Sequence, residues 1–381
     1  MRIAVAPQEF KGTLTARQAA EAMAEGARKA IPGARIKTIP LSDGGPGLVE
    51  ALVASAGGRT KRTRVLDPLG RPIEAEWAAL ADGTAVIEMA AAAGLSLLTE
   101  EERDPRVTTT YGVGQLVLAA LDAGCRRLII GVGGSATNDG GAGMAAALGA
   151  CFLDASGDEL PPGGAALVRL ERIDLSGLDL RVREAEVTAA ADVSNSLCGS
   201  QGASIVYGPQ KGASLQVARE LDAALRRYGE IVERDVGVSV LDTAGAGAAG
   251  GLGAGLVAFL GAQVRPGFDV VAETVRLRER LRGADLLVTG EGRLDGQTVY
   301  GKTVAGAARV ARECGVPVIV VTGVLGPGWK GILPLVDGVE PIVGGAATLD
   351  EALARPARLL SLTTERAVRG WLRMAAVAKQ T

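Results

Sequence analysis

"RIAVAPQEFKGTLTARQAAEAMAEGARKAIPGARIKTIPL", residues 2–41, sets the reading of the whole chain. Arg2–Pro7 alternates like a strand, and Thr15-x-x-Gln18 predicts a capping box opening a helix that runs to Ala30. Ala34–Leu41 predicts a second strand. Pro46 stands where a first helical turn begins, ahead of Leu48–Ser55. The first 57 residues therefore follow a βαβα order, which predicts a parallel sheet with covering helices.

Beyond this stretch the rhythm changes. Thr60–Leu66, Ile73–Leu80 and Ala85–Met89, separated by the turns DPLGRP and ADGT, read as short antiparallel strands. Thr110–Asp154 reads as helix, strand, glycine loop, helix and strand. Leu215–Arg234 predicts a long amphipathic helix with Leu221, Ala224, Leu225, Tyr228, Ile231 and Val232 on its apolar face. Asp269–Arg282 predicts another, stopped by Gly283. The βα alternation then resumes with the strand Asp285–Thr289, the helix Val304–Cys314 and the strand Val316–Thr322. The same rhythm at both ends predicts a discontinuous parallel-sheet domain, 1–65 with 283–381, carrying an inserted α/β domain at 66–282. A ligand is expected in the cleft between the two, beyond the carboxyl ends of the parallel strands.

Composition narrows the function. With 3% aromatic residues, the core of this 381-residue chain must be aliphatic. Lys plus Arg is 41 and Asp plus Glu is 43, a net charge of −2, which argues for neither a nucleic-acid nor a membrane surface. The four cysteines form no C-x-x-C pair, and the apolar stretch near Met1 is too short for a signal peptide, so a cytoplasmic protein is expected. Thr243–Val264 carries no charge, but its first half is Gly and Ala, which predicts a buried loop and helix instead of a membrane span. The chain has no histidine. That excludes a histidine base, a His-containing zinc site and a Ser-His-Asp triad, leaving proton transfer to Asp, Glu, Lys, Tyr or Cys.

Five polar, glycine-marked stretches follow apolar runs: QEFKGTL (8–14), LSDGGPG (41–47), VGGSATNDGGAG (132–143), ADVSNSLCG (191–199) and TGEGRLDGQTVYGKT (289–303). Each alone is ordinary turn chemistry. Together they place Lys11, Asp43, Asp139, Asp192, Glu291, Asp295 and Lys302 at strand ends, a charge density that calls for solvent or a ligand. Gly296-x-x-x-x-Gly301-Lys302-Thr303 fits the P-loop pattern by letter, but Gly290–Asp295 separate it from its strand and no Walker-B-type strand follows. Gly245-x-Gly247-x-x-Gly250 mimics a dinucleotide fingerprint without the βαβ unit that such a fingerprint needs, so a glycine-packed turn into a helix is expected.

FKG (10–12), DGG (43–45), TTTYGVG (108–114), GGSATNDGGAGM (133–144), YGPQKGA (207–213), GAGAAGGLGAG (245–255) and GEGRLDGQT with GK (290–302) form an ordered set along the chain. In these motifs the sequence resembles the type I glycerate kinases over its whole length. The resemblance implies a flavodoxin-like domain interrupted by a larger second α/β domain. It also implies transfer of the ATP γ-phosphoryl group to D-glycerate with Mg2+, usually giving 2-phosphoglycerate. Departures occur where the family has Asp-Ser before Phe-Lys-Gly and this chain has Gln8-Glu9. Pro46-Gly47-Leu48 replaces Glu-Gly-Thr, and Ser194-Asn195-Ser196 replaces Asp-Asn-Pro. These departures leave a second possibility, a catalytically altered nucleotide- or metabolite-binding regulatory protein, or a kinase of a related hydroxy acid.

On this resemblance, catalysis is positioning and charge stabilisation. Asp192 is the first candidate for the base, with Asp295 next and Lys11 as catalytic cation. Lys11, Asp43, Asn195 and Arg293 are candidates for binding substrate. Gly133, Gly134, Ser135, Thr137, Asn138 and Lys302 are candidates for nucleotide phosphate, and Asp139 and Glu291 for Mg2+. The expected partners are glycerate and ATP, with no nucleic acid and no membrane, in a monomer or homodimer.

Overall fold

The structure, a computed structural model, describes residues 1–299, 303–345 and 347–378. In chain order the strands begin with β1 (Arg2–Val5), β2 (Arg35–Thr38), β3 (Gly58–Leu66), β4 (Pro72–Leu80) and β5 (Thr84–Glu88). Next come β6 (Arg127–Gly131), β7 (Cys151–Leu153), β8 (Arg172–Asp174), β9 (Glu186–Ala190) and β10 (Gln263–Arg265), then β11 (Leu286–Leu294), β12 (Val318–Leu325) and β13 (Gly338–Pro341). They fall into two compact units. The first comprises Met1–Asp43, Glu50–Gly57 and Phe268–Thr381, and the second Gly44–Val49 and Gly58–Gly267.

The first unit is built on a parallel sheet in the order β13-β12-β11-β1-β2. Numbered within this sheet, that is the 2-1-3-4-5 order of flavodoxin-like folds. The helix Ala16–Ala30 links β1 to β2, opened by the expected box: the Thr15 hydroxyl accepts from the Gln18 amide, and the Gln18 side chain accepts from the Thr15 amide. Its Ala19, Ala20, Met23 and Ala27 pack with Ile3, Val5, Val288 and Val321 of the sheet, and with Leu360 and Val368 of the helix Pro356–Ala378. The chain leaves β1 toward β2 and leaves β11 toward β12 on the other side. The crossover direction therefore reverses between β1 and β11, where an open parallel sheet forms a crevice beyond its carboxyl ends.

In the second unit, β3, β4 and β5 form an antiparallel meander that continues into the parallel run β5-β6-β9-β10, while β7 and β8 pair separately. The helix Leu215–Val236, capped by Ser214, buries the apolar residues that its spacing predicts. The uncharged stretch after Thr243 forms a turn and then the segment Ala248–Leu260, left-handed at Ala249, Gly250 and Gly251 and helical beyond them, which is buried along most of its length. No described helix is long and apolar enough to cross a membrane.

Three local readings are corrected. The single helix expected over 269–282 is two, Gly267–Thr274 and Leu277–Leu281, because Arg276 sits between them in the left-handed region at φ 51°. The strand expected to stop at Thr289 runs on to Leu294, where Glu291, Arg293 and Leu294 pair with Thr322, Val324 and Leu325 of β12. The glycines that resemble a loop are there because the strand passes close to its neighbours. A Cβ on Gly292 would lie 3.1 Å from the Lys11 amide nitrogen. The boundary expected near residue 65 falls inside β3, which pairs along its whole length with β4.

Candidate active site

A cavity of about 600 Å3 lies within the first unit, at the carboxyl ends of its strands. The turn after β1 supplies Gln8, Glu9 and Lys11, and the segment after β2 supplies Asp43. The extension of β11 supplies Glu291 and Arg293, with Asp295 just beyond its end. Glu291 and Arg293 share one face of the strand because side chains alternate with period two. Had β11 ended at Thr289, neither residue would have a fixed direction.

Local hydrogen bonds orient these groups. The Gln8 amide Nε2 donates to Asp43 Oδ2 at 2.9 Å, while Gln8 Oε1 is buried without a partner among the described residues. The Thr298 hydroxyl donates to Glu291 Oε1 at 2.7 Å and accepts from the Asp295 amide. Asp295 Oδ1 accepts from the Gln297 amide, and its Oδ2 lies 3.2 Å from Arg293 Nε. Burial pushes the Glu9 carboxyl above its ordinary pKa; the negative charge of Asp43 adds to this and Lys11 opposes it. The cavity thus combines carboxylates with two cations and one unsatisfied acceptor.

The glycine-rich stretch 132–143 belongs to the second unit and turns its polar side chains inward. Thr137 and Asn138 are 0% exposed and Asp139 1%, whereas Gly134 is exposed. The Asp139 carboxylate accepts from the Thr110 amide at 2.8 Å, from the Thr110 hydroxyl at 2.9 Å, and from the Gly141 and Gly143 amides. Those last two amides open the short helix Ala142–Ala147, so the anion at that helix start is Asp139 itself. Burial raises the Asp139 pKa and these hydrogen bonds oppose the rise.

Behind the loop, Lys211 Nζ donates to Thr137 O at 2.7 Å, the Tyr228 hydroxyl to Gly140 O at 2.8 Å, and Asn138 Nδ2 to Ser204 Oγ at 2.8 Å. Lys211 is 1% exposed. Burial lowers its ammonium pKa to about 7, although Asp139 pulls it back up. The Gly245–Gly250 pattern is the surface on which this loop rests. The Gly140 amide donates to Gly250 O, and a Cβ on Gly250, whose φ is +68°, would lie 1.9 Å from Thr137 O.

Among the sequence candidates, then, Lys11, Asp43, Glu291, Arg293 and Asp295 share one cavity. Gly133, Gly134, Ser135, Thr137, Asn138 and Asp139 lie in the glycine loop of the second unit, with Asp192 and Asn195 elsewhere in that unit. Asp192 is exposed and its Oδ1 accepts from the Gly267 amide. Asn195 is held inside its own segment, donating to Gln201 O and accepting from the Tyr207 hydroxyl. Lys302 lies outside the described residues. Composition and spacing did not reveal Lys211, and they placed Tyr228 on the apolar face of its helix without its hydrogen bond to Gly140. The signal available was a lysine in the otherwise uncharged YGPQKGA, whose loop lies 74 residues from its partner Thr137.

The fold is an α/β protein with a charged cavity beyond the carboxyl ends of a flavodoxin-like sheet, the place where open α/β folds take small-molecule ligands. The glycerate kinase family matches residues 3–372. The glycerate kinase of Halalkalibacterium halodurans is 46% identical over 94% of this chain and 95% of its own length. The glycerate 2-kinase of Escherichia coli is 45% identical over 92% and 93%. A crystal structure from Salmonella typhimurium, described as a candidate glycerate kinase 2, superposes with a TM-score of 0.89 at 43% identity and covers all of both chains. The chain belongs to the glycerate kinase family and is a small-molecule kinase.

Proposed function

We propose that this chain transfers the γ-phosphoryl group of ATP, with Mg2+, to a hydroxyl of D-glycerate, giving 2-phosphoglycerate. The observation that carries the reading is the convergence of Lys11, Asp43, Glu291, Arg293 and Asp295 on one cavity at the switch point of the sheet. Glycerate is a small carboxylate with two hydroxyl groups. Lys11 offers a compact point charge for its carboxylate, while Asp43, oriented by Gln8, and the unsatisfied Gln8 Oε1 offer acceptors for hydroxyl hydrogens. In the reacting complex the glycerate hydroxyl oxygen bonds to the γ-phosphorus as the bond to the β,γ-bridging oxygen breaks and ADP leaves. The hydroxyl proton passes to a carboxylate, which we assign to Asp295, the candidate base within the cavity, ahead of Asp192. Arg293, beside Asp295, faces the charge that develops on the transferring group.

The donor set fits Mg2+ in the usual way for phosphoryl transfer, by one or two carboxylates together with the phosphates of the substrate. Among the described residues no three His, Cys, Asp or Glu groups form an all-protein metal cage, and Glu291 is the carboxylate we assign to the ion. When bound, Mg2+ neutralises the charge of the β- and γ-phosphates. Asp139, whose carboxylate is taken up by Thr110, Gly141 and Gly143, supports the loop instead of the ion. We assign phosphate contact to Lys302, which lies outside the described residues. The chain is expected to act in the cytoplasm. The test is incubation with Mg-ATP and D-glycerate, followed by measurement of glycerate-dependent ADP and assignment of the phosphorylated carbon by 31P–1H correlation. Absence of glycerate-dependent ADP overturns the proposal.

A further inference from the structure

The cavity has more apolar wall than a three-carbon acid can use. Every carbon of glycerate carries oxygen, so it has no hydrocarbon face to bury. The lining nevertheless divides by strand. Its charged residues come from the β2, β1 and β11 side of the sheet, and its aliphatic ones from β12 and from the segments that follow β13. The aliphatic side is formed by Val324, Ile342, Val343, Leu349, Leu353 and Pro356. Two of these residues project from the six-residue helix Leu349–Ala354, which has no buried residue of its own; Leu349 is 52% exposed and Leu353 55%. Large apolar side chains left this open beside a charged site mark a ligand surface.

The geometry points to a seat for the purine ring of the nucleotide on this aliphatic wall, with its phosphates directed toward Arg293 and toward Glu291, the carboxylate assigned to Mg2+. The inference rests on the kinase reading and adds a location for the base. Of the two substrates, only the nucleotide carries a flat, weakly polar ring, and aliphatic side chains hold such a ring by dispersion and exclusion of water. The sheet order supplies the polarity of the site: the base lies over β12 and β13, and the reacting end over β11 and β1.

Leu349→Asp and Leu353→Asp test the assignment, because neither residue is part of the buried core. The probes are ADP and inorganic tripolyphosphate, titrated calorimetrically into the full chain. Each variant is expected to weaken ADP binding by about tenfold or more, the effect of losing apolar contact and placing a carboxylate against the ring. Tripolyphosphate affinity and the KM for glycerate are expected to change by less than about twofold. Leu353→Met, which keeps the apolar wall, is expected to bind ADP like the parent chain. ADP affinity unchanged in both aspartate variants overturns the inference, as does an equal loss for ADP and tripolyphosphate. If the parent chain makes no glycerate-dependent ADP yet the variants lose ADP selectively, the seat stands and the glycerate reading fails. If turnover is normal and ADP binding is indifferent to both leucines, the reverse holds.

Discussion

Replacing Lys211 with methionine removes a cation that is closed off from solvent and tied to the backbone of the glycine loop through Thr137 O. Burial moves the ammonium pKa from 10.5 to about 7. At about 1.4 kcal/mol per pKa unit, this is about 5 kcal/mol against the charged form relative to the neutral one. The folded pKa lies below the unfolded one. Between about pH 7 and 10.5 the unfolded chain therefore holds the proton that the folded chain has released. Stability from this residue is lowest below pH 7 and rises with pH through the window. Methionine has no such dependence. From pH 7 to pH 9 the parent protein is expected to gain about 2 kcal/mol on Lys211→Met, measured as the difference in urea unfolding free energy at the two pH values. Cys198 and Tyr228, whose pKa values burial raises, are common to both proteins and largely cancel in the difference. A difference that stays constant within about 0.5 kcal/mol across this range would refute the reasoning, because Lys211 would then be held charged in the fold by Asp139.

Lys11→Met is expected to raise the KM for glycerate much more than the KM for ATP, because the carboxylate loses its cation; steady-state kinetics with each substrate varied will show an equal effect on both if Lys11 serves the nucleotide. Asp295→Asn is expected to lower kcat by about 10²–10⁴-fold, the usual range for a general base, with ADP affinity retained. Should kcat stay within a few-fold of the parent while Asp192→Asn loses it, the base is Asp192. Gly250→Ala is expected to cost about 2 kcal/mol or more, because alanine is strained at φ +68° and its Cβ falls on Thr137 O. A thermal midpoint unchanged by that substitution would mean that the glycine loop does not rest on Gly250.

What the sequence determined by itself was local. The Thr15–Gln18 capping box, the strands on either side of the first helix and the apolar face of Leu215–Val236 were legible because period and capping are properties of neighbouring residues. The motif set also identified the family, and the charged turns of the first unit named five groups of the cavity before their geometry was known. Tertiary structure decided which glycines belong to a loop and which polar side chains face a ligand. GEGRL reads as a turn, yet it is strand because β12 offers partners through Leu325. Asp139 reads as a ligand for a cation, yet Thr110, Gly141 and Gly143 take up its carboxylate. Lys211 figures in the sequence only as one letter of YGPQKGA, yet it is buried beside Thr137. Burial of a polar group is a sum over elements tens of residues apart, and no local pattern carries that sum; the cost of desolvation, and the partners that offset it, exist only once those elements meet.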